Sequence, residues 1–374
     1  PRQAGSHRTL DFPSEVIGVE GSGGGIIHMG LWLIISEDST SARNETTCHM
    51  KALLLDKPGP VSDLYVGELA IPEPKANEIR VKVHVAGLNP VEYKQAGKGN
   101  DNWLWPHVLG LDVAGVVDAV GSDVDQWSLG DRVFYHGDLA KPGGFAEYAI
   151  TTVHTTARIP ENISFAQAAA IPCAGLTAYE SVVRRLDVQP EHTVWMQGGA
   201  GGVGGFGVQI CANIGATVIT TASERNHGFV KSIGADHVID YNTENVVEAI
   251  MAITDGLGVD RVLAAVDAST ADEGIEVLKY RGGLAAVAGM PTLNDAAFSS
   301  ARSIHNISYG GAHSSTNYAA QVDLATMAEE MIALVADKKI DAMIEQTIGL
   351  DEIPEGLAQL QGRHVRGKIV AEIG

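Results

Sequence analysis

Gln197-Gly-Gly-Ala-Gly-Gly-Val-Gly-Gly-Phe-Gly-Val-Gln209 is the stretch on which the reading of this chain turns. Within it, Gly199-Ala-Gly-Gly-Val-Gly204 satisfies the spacing G-x-G-x-x-G. Alone that spacing is weak, so its flanks decide what it means. Before it, Thr193-Val-Trp-Met-Gln197 reads as a strand. After it, Val203, Phe206, Gly207, Ile210, Cys211 and Ile214 recur at helical spacing, and Ala216-Thr-Val-Ile-Thr-Thr221 reads as the next strand. A strand, a glycine turn and a helix in that order form a dinucleotide site. Gly199 permits the tight turn, Gly201 lets the backbone approach a pyrophosphate, and Gly204 lets helix and strand pack closely. The helix start offers unpaired N–H groups to the phosphates. The candidate cradle therefore runs from Gly199 through Ala200, Gly201, Gly202 and Val203 to Gly204.

Cofactor choice is read at the end of the second strand, where an NAD enzyme places an acid for the ribose 2′-hydroxyl. This chain reads Thr220-Thr-Ala-Ser-Glu-Arg-Asn226. Ser223 stands where the acid is expected and Arg225 follows. A hydroxyl and a guanidinium suit a 2′-phosphate, so NADP(H) is the expected cofactor, with Glu224 as the one contrary residue.

Outward from the turn, the strand–helix rhythm continues through Val259-Asp-Arg-Val-Leu-Ala-Ala-Val266 and Leu284-Ala-Ala-Val-Ala288. Alternating strands and helices imply a parallel sheet covered on both faces. Toward the N-terminus the character is all-β. Lys51-Ala-Leu-Leu-Leu55, Ile79-Arg-Val-Lys-Val-His-Val85, Val113-Ala-Gly-Val-Val117 and Asp131-Arg-Val-Phe-Tyr135 read as short strands between turn-rich segments. Residues 1–49 differ from the rest, with glycine and serine, scattered acids and one short apolar run. They are expected to be a leader or tag-like extension outside the fold, with Met50 as the natural start.

The chain of 374 residues is long enough for two domains. Asp and Glu number 46 against 26 Lys and Arg, a net charge of −20 that repels nucleic acid and anionic membranes. No uncharged apolar run approaches the roughly 18–20 residues of a membrane span. Three cysteines, Cys48, Cys173 and Cys211, with no CxxC pair, exclude a disulfide framework and a four-cysteine zinc site. That usage fits a reducing, cytoplasmic setting.

Further motifs resemble one family. Gly87-Leu-Asn-Pro-Val-Glu92, Gly110-Leu-Asp-Val-Ala-Gly115, Gly130-Asp-Arg-Val133, Gly143-Gly-Phe-Ala-Glu-Tyr148, Ile171-Pro-Cys-Ala-Gly-Leu-Thr-Ala-Tyr179 and Gly367-Lys-Ile-Val370 are similar in order and spacing to those of medium-chain dehydrogenases/reductases. The branch resembled is the zinc-free quinone oxidoreductase (zeta-crystallin-like) or enone reductase branch. The resemblance implies an α/β chain in two domains. A GroES-like catalytic domain would span 50–172 and be completed by 312–374, with a Rossmann domain over 173–311. It also implies a homo-oligomer, dimer or tetramer. Thr177 and Gly289 should border the nicotinamide, Tyr241 the adenosine ribose-phosphate end, and Arg363 approaches the 2′-phosphate from the returning segment.

Zinc enzymes of the superfamily hold catalytic zinc with three protein ligands. By the resemblance those positions fall on Asn89, Leu111-Asp112 and Cys173, and only Cys173 keeps a sulfur. No metal is therefore expected, since zinc needs three converging ligands. Without a Lewis acid, reversible alcohol oxidation loses its main means of stabilising an alkoxide. Hydride delivery to a quinone or an α,β-unsaturated carbonyl needs only one or two hydrogen-bond donors at the developing oxyanion. Asn89, Tyr93 and Lys94 are the candidate donors. Many quinone reductases carry Tyr where this chain has Lys94, with Tyr93 one place earlier; the pattern is closer to the enone reductases. Trp103 and Trp105 either wall a flat-ligand pocket or pack locally, and His136 is a loop residue near the cleft. The leading expectation is an NADPH-dependent, metal-free reductase of quinones or enones. The alternatives are a dehydrogenase of another small carbonyl or alcohol, and a non-catalytic crystallin-like or RNA-binding protein, the last disfavoured by charge.

Overall fold

A computed structural model describes residues 48–293, 299–363 and 365–374. The expected leader, apart from its last two residues, lies outside the described part. Six strands form one all-parallel sheet. Across the sheet they run His237–Ile239, Thr217–Thr221, Thr193–Met196, Val259–Ala264, Leu278–Ala286 and Ser303–Asn306. In chain order this is 3-2-1-4-5-6, the doubly wound arrangement whose ligand crevice opens at the carboxyl ends beside the first strand. Both faces are covered. Trp195, Ile219, Ile250 and Leu284 lie fully buried on one side, and Phe206, Val208, Leu176 and Met331 on the other.

The other half is antiparallel. Its larger sheet runs Ile344–Gly349, Lys368–Glu372, Glu78–Gly87, Asp112–Val120, Arg132–His136 and Ala157–Arg158, with Tyr148–Thr152 also paired to Glu78–Gly87. A smaller sheet joins Tyr65–Ala70, His49–Leu55 and His107–Val108. The strand Glu78–Gly87 shows why these residues form it. Val81 and Val83 are fully buried while Arg80, Lys82 and His84 point outward, a period of two. Arg80 is held outside by Asp118 at 2.7 Å, and His84 stacks on Phe165 at 4.4 Å. The last strand, Lys368–Glu372, comes after the parallel sheet in the chain yet pairs with Glu78–Gly87. The C-terminal segment thus returns to the first half.

One strand departs from its expected span. Leu284–Ala288 was the expectation, and the strand runs Leu278–Ala286. Its first half, Lys279-Tyr-Arg-Gly282, has no apolar pattern. The register with Val259–Ala264 jumps from Leu278 to Gly283, so these four residues bulge out of the ladder and need no apolar face. Among the described residues no helix is long and apolar enough to cross a membrane.

Candidate active site

The glycine turn sits where the sheet topology wants a ligand. Strand Thr193–Met196 ends below it, and helix Gly202–Ile214 begins from it with Gly201 as N-cap. Gly201 has extended backbone (φ −85, ψ 179) and makes no side-chain cap, so the first N–H groups of the helix remain available. A Cβ on Gly204 would strike the Gly198 carbonyl oxygen, which is backbone and cannot yield. A Cβ on Gly201 would meet only that oxygen, at an ordinary 3.4 Å. Gly204 is therefore required by the protein's own packing, while Gly201 leaves open space on its outer side.

Ser223 and Arg225 follow the neighbouring strand, Thr217–Thr221, and both are at least partly exposed. Tyr241 follows the strand beyond it, His237–Ile239, and is 56% exposed. The three lie at carboxyl ends of paired strands. Arg363 does not join them. Its guanidinium lies 3.9 Å from Asp267, which follows Val259–Ala264, two strands away from the one that precedes Ser223. Gly289 lies three residues past its strand, packed on Ala268. Thr177 is buried in helix Pro172–Tyr179.

Asn89 is the N-cap of helix Pro90–Lys98, a position where Asn usually accepts a backbone N–H. Here its side chain makes no capping bond. The amide instead donates through Nδ2 to Asp112 Oδ2 at 2.9 Å and accepts at Oδ1 from Lys368 Nζ. Lys368 Nζ also donates to the Leu88 carbonyl at 3.1 Å and lies 3.6 Å from Asp112 Oδ2. The other carboxylate oxygen of Asp112 accepts from Cys173 N–H at 2.8 Å. Asn89, Asp112 and Lys368 are all at most 3% exposed. Such a group of buried charges persists only because each is paired. Burial pushes the Asp112 carboxyl up, while Lys368 and the bonds from Asn89 and Cys173 pull it back.

Glu92 takes over the capping. It accepts from Asn89 N–H at 2.7 Å and from Leu111 N–H at 3.2 Å. Complete burial, and then the nearby Asp112 charge, push its carboxyl from the ordinary 4.5 up to about 8. Between those pH values the native state keeps a proton that the unfolded chain has released. The stability it contributes is present in full below 4.5 and lost as pH rises through 8. Thermal unfolding should therefore show Tm falling from pH 6.5 to 8.5, with a shallower fall in Glu92→Gln. Equal slopes would refute the assignment.

Tyr93 and Lys94 share this helix but not this network. Asn89, Glu92 and Ala96 form its buried face. Lys94, two residues from Glu92, points to the opposite side and is exposed. Tyr93 packs against the core of the antiparallel half. Trp103 stacks on His107 at 3.9 Å and donates to the Leu139 carbonyl, which is local packing, while Trp105 stays 38% exposed. The residues that sequence reasoning missed are Glu92, Asp112 and Lys368 as a set. The one signal for them in the sequence is a lysine that opens the apolar last strand, Lys368-Ile-Val-Ala-Glu372.

The fold also gathers Asp112, His136 and Cys173, whose ligand atoms lie within 4.8 Å of one another. His136 Nδ1 is buried with no hydrogen-bond partner, and burial, then His313, hold the imidazole neutral with its pKa lowered to about 3. These types are able to bind zinc. The set nevertheless does not fit a divalent ion. Both Asp112 oxygens already accept hydrogen bonds, and the Lys368 ammonium supplies the compensating charge at 3.6 Å. A dication bound to the same carboxylate would face that ammonium across a few ångströms of low-dielectric interior.

Comparison with known proteins agrees with this architecture. Residues 75–161 match the alcohol dehydrogenase GroES-like domain, and residues 233–370 match the family described as zinc-binding dehydrogenase. Human quinone oxidoreductase is 32% identical over 228 residues, which are 60% of this chain and 69% of that protein. A trans-enoyl reductase of Aspergillus terreus is 35% identical, over 55% of this chain and 73% of its own. The quinone oxidoreductase structure from Coxiella burnetii superposes with a TM-score of 0.76 at 32% identity, covering 87% of this chain and all of that one. With its GroES-like half, its doubly wound parallel sheet and these relatives, the chain belongs to the medium-chain dehydrogenase/reductase superfamily, in the quinone oxidoreductase branch.

Proposed function

We propose that this protein is an NADPH-dependent oxidoreductase that passes hydride to quinones or α,β-unsaturated carbonyls without a metal. One observation carries the reading. The glycine turn lies within reach of a buried Asn89–Asp112–Lys368 group that offers hydrogen-bond donors and a fixed positive charge but no fitting metal ligand set. The relatives named for quinone and enoyl reduction support the acceptor class.

The bound nicotinamide supplies the hydride. The chain's residues do the rest. The turn Gly199–Gly204 holds the pyrophosphate on backbone N–H groups. Ser223 and Arg225 hold the 2′-phosphate, with Tyr241 beside the adenosine. Thr177 borders the nicotinamide. Asn89, through the amide hydrogen left over from its bond to Asp112, donates to the acceptor oxygen as negative charge develops there. Lys94, on the exposed face, and Tyr93, partly buried against the core, take no part in this hydrogen-bond network.

The test is consumption of NADPH and NADH against a panel of quinones, enones, simple aldehydes and alcohols. Turnover of quinones or enones alone supports the reading, and exclusive turnover of aldehydes or alcohols replaces it with a dehydrogenase of another carbonyl. Tight NADPH binding with no turnover of any acceptor would leave a cofactor-binding structural protein. Arg225→Gln should raise the KM for NADPH about 10- to 100-fold, as expected for losing a charge-assisted hydrogen bond of about 1.5–3 kcal/mol. The KM for NADH should not change; a parallel rise in both would remove Arg225 from 2′-phosphate recognition.

A further inference from the structure

Lys368 has two attachments that lie on different domains. Its ammonium binds the Leu88 carbonyl, the Asn89 amide oxygen and Asp112, all in the antiparallel half. Its backbone and stem lie on the cofactor turn. The N–H of the preceding Gly367 donates to the Ala200 carbonyl at 2.8 Å, and Lys368 N–H donates to the Met343 carbonyl. The Lys368 stem passes so close to Gly202 that a Cβ there would lie 3.3 Å from Cδ. One residue thus spans from the glycine-rich turn to the Asn89 amide.

The ammonium also decides which way that amide is turned. An Asn side chain has two N–H donors on Nδ2 and acceptor sites on Oδ1, and the two ends are interchangeable by a flip. Lys368 can only donate and an ionised Asp112 can only accept. With one on each side, Oδ1 must face Lys368 and Nδ2 must face Asp112. The alternative flip would set donor against donor and acceptor against acceptor. The remaining hydrogen on Nδ2 is then the donor offered onward.

We propose that Lys368 is a positioning residue that orients the Asn89 amide as a donor and ties it mechanically to the glycine-rich turn, so that cofactor seating and acceptor binding are coupled. It acts through Asn89 and is not in contact with the acceptor. The acceptor's identity rests on the reductase reading above, but the coupling does not.

Two measurements test this. Removing Lys368 alone leaves Asp112 buried without its cation, so the variant used is Lys368→Met with Asp112→Asn, which removes both charges together. In the first measurement, amide hydrogen exchange of the full chain is followed on adding adenosine 5′-diphosphate 2′-phosphate. This probe fills the turn but carries neither nicotinamide nor its ribose. In the wild type, residues 88–94 should gain protection together with residues 197–205. In the double variant the turn should still gain protection and residues 88–94 should not. Equal protection of both segments in the variant, or none at 88–94 in the wild type, overturns the coupling.

The second measurement is a cycle on kcat with whichever acceptor turns over. Adding the double change to wild type should lower kcat about tenfold or more, with NADPH affinity changed less than about threefold, because losing its orientation forfeits part of the roughly 100- to 1,000-fold that one oriented donor at a developing oxyanion contributes. Adding it to Asn89→Ala should have almost no further effect. Independent, multiplying losses would show that Lys368 does not act through Asn89. A loss confined to NADPH affinity would show that the ammonium serves the cofactor instead. Stoichiometric zinc in active wild-type protein, absent from His136→Ala, would overturn the assignment of Lys368 as the site's cation. If the wild type reduces no acceptor at all, the reductase reading fails, and the exchange experiment alone decides the coupling.

Discussion

Gly201→Val is expected to abolish cofactor binding while leaving the fold intact. The backbone at Gly201 is extended, at φ −85 and ψ 179, a conformation open to any residue. Its added Cβ would meet only the Gly198 carbonyl oxygen, at 3.4 Å. The protein therefore accommodates a side chain there, and the space that it fills is the space through which a pyrophosphate reaches the helix N–H groups. Losing one or two charge-assisted hydrogen bonds, each about 1.5–3 kcal/mol, corresponds to a loss of affinity of roughly 100-fold or more. Titration of NADPH by fluorescence and the urea unfolding midpoint should separate the two effects. The midpoint should fall only by the equivalent of the roughly 1 kcal/mol that a β-branched residue costs at this N-cap. Gly204→Val is the contrast, since its Cβ collides with the Gly198 backbone and should lower both affinity and stability. A Gly201→Val protein that binds NADPH normally would place the cofactor elsewhere.

Lys368→Met should strongly destabilise the antiparallel half. The ammonium is 3% exposed and the partner carboxylate 0%. Breaking a buried pair by removing one member costs about 3–5 kcal/mol, whereas replacing both members is often near neutral. Most of the stability should therefore return when Asp112→Asn is added. Burial already raises the Asp112 pKa with Lys368 in place, and removing the ammonium raises it further, so the variant holds more firmly a proton that the unfolded chain releases as pH rises. Its deficit should shrink as pH falls into the carboxylate range and grow toward neutrality. A single variant as stable as wild type at pH 7.5, or a double variant no better than the single, would show that the pair is not a coupled unit.

The cofactor turn was legible because its chemistry is local. Tight turn, close approach and helix start are properties of residues within a few positions of each other, so spacing between two apolar strand patterns was enough. The pattern of short strands before Val153, and the strand–helix alternation after Thr193, likewise follow from periodicity that each segment carries by itself. Tyr93 and Lys94 show where that kind of reading stops. They stand near Asn89 in the chain, but a helix turns 100° per residue, and burial of Glu92 instead of an apolar residue sets its phase. A buried glutamate is rare enough that no pattern rule would choose it as the inward residue.

Local order in the chain was thus sufficient for the two-domain α/β architecture and for the dinucleotide turn, because both are written in short-range spacing and backbone requirements. The tertiary structure alone decided what stands opposite that turn. Lys368 is 279 residues from Asn89 in the chain, and Asp112 reaches both from a third strand. Only the return of the last strand onto Glu78–Gly87 brings them together. The physical reason is that burying charge demands a partner, and which partner is supplied depends on the packing of distant segments and on no property of either segment alone.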